Sequence, residues 1–135
     1  MSLNDWIKAL HILSAFALVG ALTIMWLGYL VLRGNGGGTA ALGRLFTVGS
    51  VAIGIGMVGT LVFGIWLSIS LEGYDPWDGW VIAALVLWLV GGGLGDRAGR
   101  LSRQPGGLQR ALVLHAVTTL AVLLILIDMI WKPGA

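Results

Sequence analysis

The chain has 135 residues, 58% hydrophobic and 10% charged, with seven tryptophans and no cysteine. Its mean hydropathy of +0.95 describes a chain solvated mostly by lipid, with no soluble catalytic domain. Disulfides, thiolate metal sites and iron–sulfur clusters are excluded by the lack of cysteine. A formal net charge of +2, carried by short loops, gives no surface on which nucleic acid could bind.

The first apolar stretch, "WIKALHILSAFALVGALTIMWLGYLVL", runs from Trp6 to Leu32 and exceeds the ~20 residues a spanning helix needs. It lacks a basic n-region and an A-x-A-like site, and it is too long for a signal-peptide core, so it is expected to stay in the mature protein. The loop "RGNGGGTAALGR" follows, with Arg33 and Arg44 in it and Thr39 placed to cap the next helix.

The second span, Ala40 to Leu71, is rich in small residues: Gly49, Ser50, Ala52, Gly54, Gly56, Gly59 and Gly64. Lipid tails give helices no hydrophobic reason to associate, so small residues that admit a close neighbour must supply contact. The Ser50-x-x-x-Gly54 and Ala52-x-x-x-Gly56 steps make this the expected central, packing helix.

An acidic hairpin, "EGYDPWDG", carries Glu72, Asp75 and Asp78 and leads into a third span from Trp77 to Leu94. Its end, "GGGLGDRAGR", is not a dinucleotide fingerprint, because the spacing is G-x-G-x-x-x-G and no βαβ unit can precede it in a membrane. Gly91 to Gly95 read instead as the small-residue end of a helix entering a basic loop. That loop holds Arg97, Arg100, Arg103 and Arg110. A fourth span, Ala111 to Trp131, completes an all-α, polytopic four-helix membrane bundle, a single domain over 1–135.

Basic loops belong inside, so the hairpin and both termini are expected outside. Lys8 and Lys132 are the only contrary charges. The loop arginines also suit anionic headgroups, though topogenic charge explains them. A positive-inside pattern without a targeting peptide fits a prokaryotic cytoplasmic membrane.

Three ionisable groups fall within the spans: His11, His115 and Asp128. Such residues are functional candidates because lipid makes them costly without a partner. His11 lies five residues past Trp6, about 7.5 Å below the outer boundary, and His115 lies sixteen residues before Trp131, about 24 Å below it. A separation of roughly 16 Å along the membrane normal excludes a haem held between the two histidines. Asp128, about 4.5 Å deep, is level with His11 and could form a polar pair with it. Met129 shares that depth and could be a second axial ligand to a His11-bound haem. At 100° per residue, His11, Ser14, Ala15, Leu18, Leu22, Met25 and Tyr29 form one stripe. His115 lies on a stripe with Thr118, Thr119, Val122, Leu126 and Met129 and reads as a bundle-facing histidine bonded to a carbonyl, Thr or water.

"WIKALHILSAFALVG" resembles the first helix of the four-helix haem-binding protoporphyrinogen oxidase family and of the copper-resistance D type membrane domains. The helix-one histidine of the former is similar in place to His11, and the resemblance implies haem there. With its late "LH" and terminal "MIWKPG", the whole chain resembles an uncharacterised bacterial family of four-helix integral membrane proteins, a domain of unknown function. The oxidase family also depends on a lysine in a later helix, and spans two and three here contain none. Copper handling would draw on His11, Met129 and Met1.

Three readings follow. The preferred one is a non-catalytic subunit or assembly factor of a bacterial membrane complex, bound to a membrane protein partner or to copies of itself. The alternative is a haem b or porphyrin-binding redox protein with His11 as axial ligand. A proton or small-solute pathway ranks last, because between His11 and His115 only Thr60, Thr118, Thr119 and Tyr29 offer polar groups. Hydrolysis lacks an acid and an oxyanion hole beside Ser14.

Overall fold

The computed structural model describes residues 2–35 and 38–132, and the regular elements among them are four α-helices. They are α1 (Leu3–Asn35), α2 (Ala40–Ser70), α3 (Gly79–Leu101) and α4 (Leu108–Trp131). Each is long and apolar enough to cross a membrane; even α3, with 23 residues, is about 35 Å long against a hydrocarbon core of about 30 Å. The chain is therefore all-helical, with the make-up of a multi-pass membrane protein.

Helix starts follow local chemistry. Ser2 and Asp5 cap α1 reciprocally, the Asp5 N–H donating to Ser2 Oγ (3.3 Å) and the Ser2 N–H to Asp5 Oδ2 (2.8 Å). Thr39 Oγ1 accepts from the Leu42 N–H at 3.3 Å and caps α2. Between α2 and α3, the Trp77 N–H donates to Asp75 and the Asp75 N–H to Asp78 (3.0 Å each), and Gly73 supplies the positive φ of the turn.

The third helix differs from its sequence reading. It begins at Gly79 rather than Trp77 and continues through Gly91–Gly95 to Leu101, so those glycines are not a helix end, and Gly91, Gly92 and Gly95 face neighbouring helices while Gly93 is exposed. A Cβ on Gly91 would sit 3.5 Å from Ala121, one on Gly95 3.4 Å from Thr118, and one on Gly92 3.1 Å from Met57. Each interior glycine costs about 1 kcal/mol of helix propensity, which close approach of the neighbouring helices offsets. Consequently Arg97 and Arg100 are helical, Arg103 lies in the α3–α4 connection and Arg110 lies in the first turn of α4; all four are exposed.

Helices α1 and α2 form one tight antiparallel hairpin and α3 and α4 another, while α1–α4 and α2–α3 touch more sparsely. Thus α2 is not central; it is the close partner of α1. Gly28 meets Phe46, Met25 meets Gly49, Leu18 meets Gly56, Ser14 meets Gly59 and His11 meets Gly64. Added carbon at Gly56 would lie 2.9 Å from the Leu18 backbone nitrogen, so at that point the two helices are nearly in main-chain contact. Gly49, Gly56, Gly59 and Gly64 thus form the packing line expected of this helix, with Ala52 half-buried. Ser50 and Gly54 are exposed, and Gly54 has no neighbour where a Cβ would be; a residue two positions from the contact line is turned about 200° away from it.

The core occupies only part of the length. Leu18, Leu22, Met57 and Val122 form a cluster at mid-height, and Met25, Tyr29, Ala111 and Leu112 form another nearer the arginine-bearing connections. Among the described residues, three side-chain hydrogen bonds cross between hairpins, all in this region: Trp26 Nε1–H to Thr119 Oγ1 (2.9 Å), Trp88 Nε1–H to the Met57 carbonyl (2.9 Å) and His115 Nε2–H to the Leu22 carbonyl (3.3 Å). Toward the acidic α2–α3 loop, no residue of α1 before Leu18 and none of α4 after Val122 is buried. There the hairpins separate.

Candidate functional site

Where the hairpins separate they leave a half-open cleft of about 620 Å³, with walls drawn from all four helices and from the α2–α3 loop. This volume is within the roughly 300–1,000 Å³ of small-molecule sites. Its sides are mostly apolar, including Phe16, Leu61, Leu85, Trp88 and Leu126, and Leu18 and Val122 of the mid-height cluster are at its inner end.

His11 is on this wall. The glycine at 64 makes room for it, since a Cβ there would come within 3.1 Å of the imidazole Cε1. Its Nδ1 is buried toward α2 without a hydrogen-bond partner, and the Thr60 carbonyl lies beside the ring. The ring as a whole is half-buried, with part of its surface on the cleft. A ligating imidazole ordinarily donates its second N–H to an acceptor, and the Thr60 carbonyl beside the ring is placed for that role. Met129 is on the wall contributed by α4.

The proposed partnership of His11 with Asp128 is not formed. Asp128 is half-buried, is not part of the cavity wall, and its Oδ2 has no partner; no hydrogen bond or ion pair joins it to His11. The α4 wall is made by Val122, Ile125, Leu126, Met129 and Ile130, and Asp128 is rotated about 100° from Met129.

His115 has another environment. It is 2% exposed, bonded to the Leu22 carbonyl, and packed by Trp26 and Tyr29 with ring centroids at 5.0 and 5.1 Å. Its partners leave it no face for a ligand. Between the histidines lies the Leu18, Leu22, Met57 and Val122 cluster. The nearby hydroxyls bond carbonyls of their own helices, Thr60 to Gly56 (2.8 Å), Thr118 to Leu114 (2.9 Å) and Thr119 to His115 (2.8 Å). An apolar block with self-bonded hydroxyls does not form a proton relay. Ser14 likewise donates to the Leu10 carbonyl (2.8 Å) and not to His11.

No group of three or more His, Cys, Asp or Glu side chains comes together among the described residues, and Met1, from the copper set considered above, lies outside them. The sequence reading missed Tyr74, Trp80 and the joint position of Lys8 and Lys132 on the cavity wall. The signal was present: those lysines are the two bases that depart from the loop charge pattern.

The fold and cavity together describe an all-helical, multi-pass membrane type of protein with a ligand-sized space between two helix hairpins. Comparison with protein-family models, with curated proteins and with solved structures gives no match, so a functional reading has to rest on this geometry.

Proposed function

We propose that this chain is a non-enzymatic, ligand-binding protein of the prokaryotic cytoplasmic membrane, with both termini and the acidic loop outside, and that its cavity holds haem b on His11. The observation that carries the reading is His11 itself, an imidazole on the wall of a mostly apolar cleft of about 620 Å³, with Nδ1 buried and Gly64 giving the ring its place. Met129, on the α4 wall, would hold the group together with His11. Haem b, when bound, would supply one-electron transfer. The chain supplies a low-dielectric chamber, an oriented imidazole, and an apolar block that separates the chamber from the opposite face. Haem content per chain, measured by pyridine haemochrome after purification from haem-replete cells, is expected to approach one in the wild type and zero in His11→Ala. A wild-type chain without haem contradicts the proposal.

A second reading, a subunit or assembly factor bound to another membrane protein or to its own copies, is favoured by the outward face of α2. Gly43, Thr47, Ser50 and Gly54 are all exposed, at spacings of four, three and four residues, the first three on a groove shared with Gly99, Ser102 and Arg103, and so present a small-residue stripe of the type helices use to approach each other in lipid. The chain has no cysteine, so Gly54→Cys gives a single reporter. Disulfide-linked dimers or a linked partner in native membranes would support this reading, and a monomeric thiol under oxidation would contradict it.

A further inference from the structure

The charges on the cavity wall are all of one sign. Lys8 and Lys132 line it, whereas Asp5, Glu72, Asp75, Asp78 and Asp128, which share this end of the molecule, do not. Their carboxylates are not paired with the lysines; the one ion pair among the described residues is Arg100 with Asp96. Asp5 accepts from Ser2, Asp78 from the Asp75 N–H and Asp75 from the Trp77 N–H.

Lys132 is held by aromatic and hydroxyl groups, not by a carboxylate. Its ammonium donates to the Tyr74 hydroxyl and lies 4.0 Å from the Tyr74 ring centroid and 5.6 Å from that of Trp80. Having accepted from Lys132, the Tyr74 hydroxyl keeps its own proton to donate. Trp80, edge-on to Tyr74 at 5.7 Å, also lines the cleft with its ring, while its Nε1–H is buried away from it. Two ammonium groups and a hydroxyl proton, at the end of an otherwise apolar cleft with no carboxylate on its wall, call for an anionic acceptor.

We propose that this end of the cleft is a carboxylate-binding subsite, in which Lys132 and Tyr74, braced by the Trp80 ring, and Lys8 on the α1 wall hold the acidic end of an amphiphilic ligand whose apolar body extends past His11. The inference rests on the haem reading, in which the acidic groups are the two propionates. It adds that the site selects for them.

The test compares haem with its dimethyl ester, which keeps the macrocycle and iron but lacks the carboxylates. Both are titrated by absorbance into the detergent-purified full chain and into the Lys8→Met/Lys132→Met variant. The ratio of ester Kd to haem Kd is expected to be about tenfold or more larger in the wild type than in the variant, with ester affinity alike in the two proteins. An equal ratio in both overturns the carboxylate subsite while leaving haem binding intact. A wild-type ratio of one overturns it without recourse to a variant. Failure of the wild type to bind either compound overturns the haem reading, and the subsite with it.

Discussion

His115 Nε2 sits 3.3 Å from the carbonyl oxygen of Leu22, and Leu22 is eleven residues beyond His11 on the same helix. At 1.5 Å per residue the two histidines are therefore roughly 16 Å apart along α1, and each has its own role. His115 ties α4 to α1 through a buried hydrogen bond and two aromatic contacts. His115→Ala is expected to lower stability by roughly 1–3 kcal/mol, from the lost bond and the space left between Trp26 and Tyr29. Thermal unfolding in detergent measures this, and an unchanged midpoint would show that the contact contributes nothing.

The glycines of α2 make a sharper contrast. Gly56→Ala pushes a methyl against the Leu18 backbone and is expected to cost roughly 1–3 kcal/mol through overpacking. Gly54→Ala meets open space and is expected to be neutral or to stabilise by up to about 1 kcal/mol through helix propensity. Denaturation of the two variants side by side checks the assignment of faces; the reverse order would mean that α2 is rotated from the position described. Because Gly56 packs inside the chain, its substitution reports on the α1–α2 hairpin rather than on a partner.

Cross-hairpin bonding is testable at Trp88. Trp88→Phe keeps most of the ring but removes the 2.9 Å bond to the Met57 carbonyl, and a loss of roughly 0.5–1.5 kcal/mol is expected. Equal stability of Trp88→Phe and the wild type would mean that this bond contributes nothing to joining the hairpins.

Several features could be read from the sequence because one residue type dominated each. The α1 stripe from His11 to Tyr29 was visible since its members recur at helical spacing, and in the structure Leu18, Leu22, Met25 and Tyr29 are buried while His11, Ser14 and Ala15 are half-buried. On α2 small residues occur on both faces, so spacing alone could not separate the Gly49–Gly56 line from the Ser50–Gly54 one. The glycines of α3 looked like a helix end because propensity was weighed without the neighbours Ala121, Thr118 and Met57. The cavity was not legible, since it is made by the separation of two hairpins and by side chains as distant in sequence as Lys8 and Lys132. Asp128 and His11 share a depth but not a face, and depth alone had suggested their pairing.

Orientation gives a further prediction. Reporter fusions in the connection at 102–107 are expected to report the cytoplasm, and fusions in the acidic loop at 71–78 the outside, because arginines cluster at the first of these ends. A periplasmic signal from 102–107 would invert the proposed topology and place the cavity near the cytoplasmic face.

The central claim is that His11 holds haem b while His115 serves packing. The most direct measurement is the visible absorption spectrum, oxidised and then dithionite-reduced, of wild type, His11→Ala and His115→Ala purified in mild detergent from haem-replete cells. The account predicts a Soret band and reduced α and β bands in the wild type and in His115→Ala, with none in a folded His11→Ala. A colourless wild type, or a Soret band that survives in His11→Ala, would contradict it.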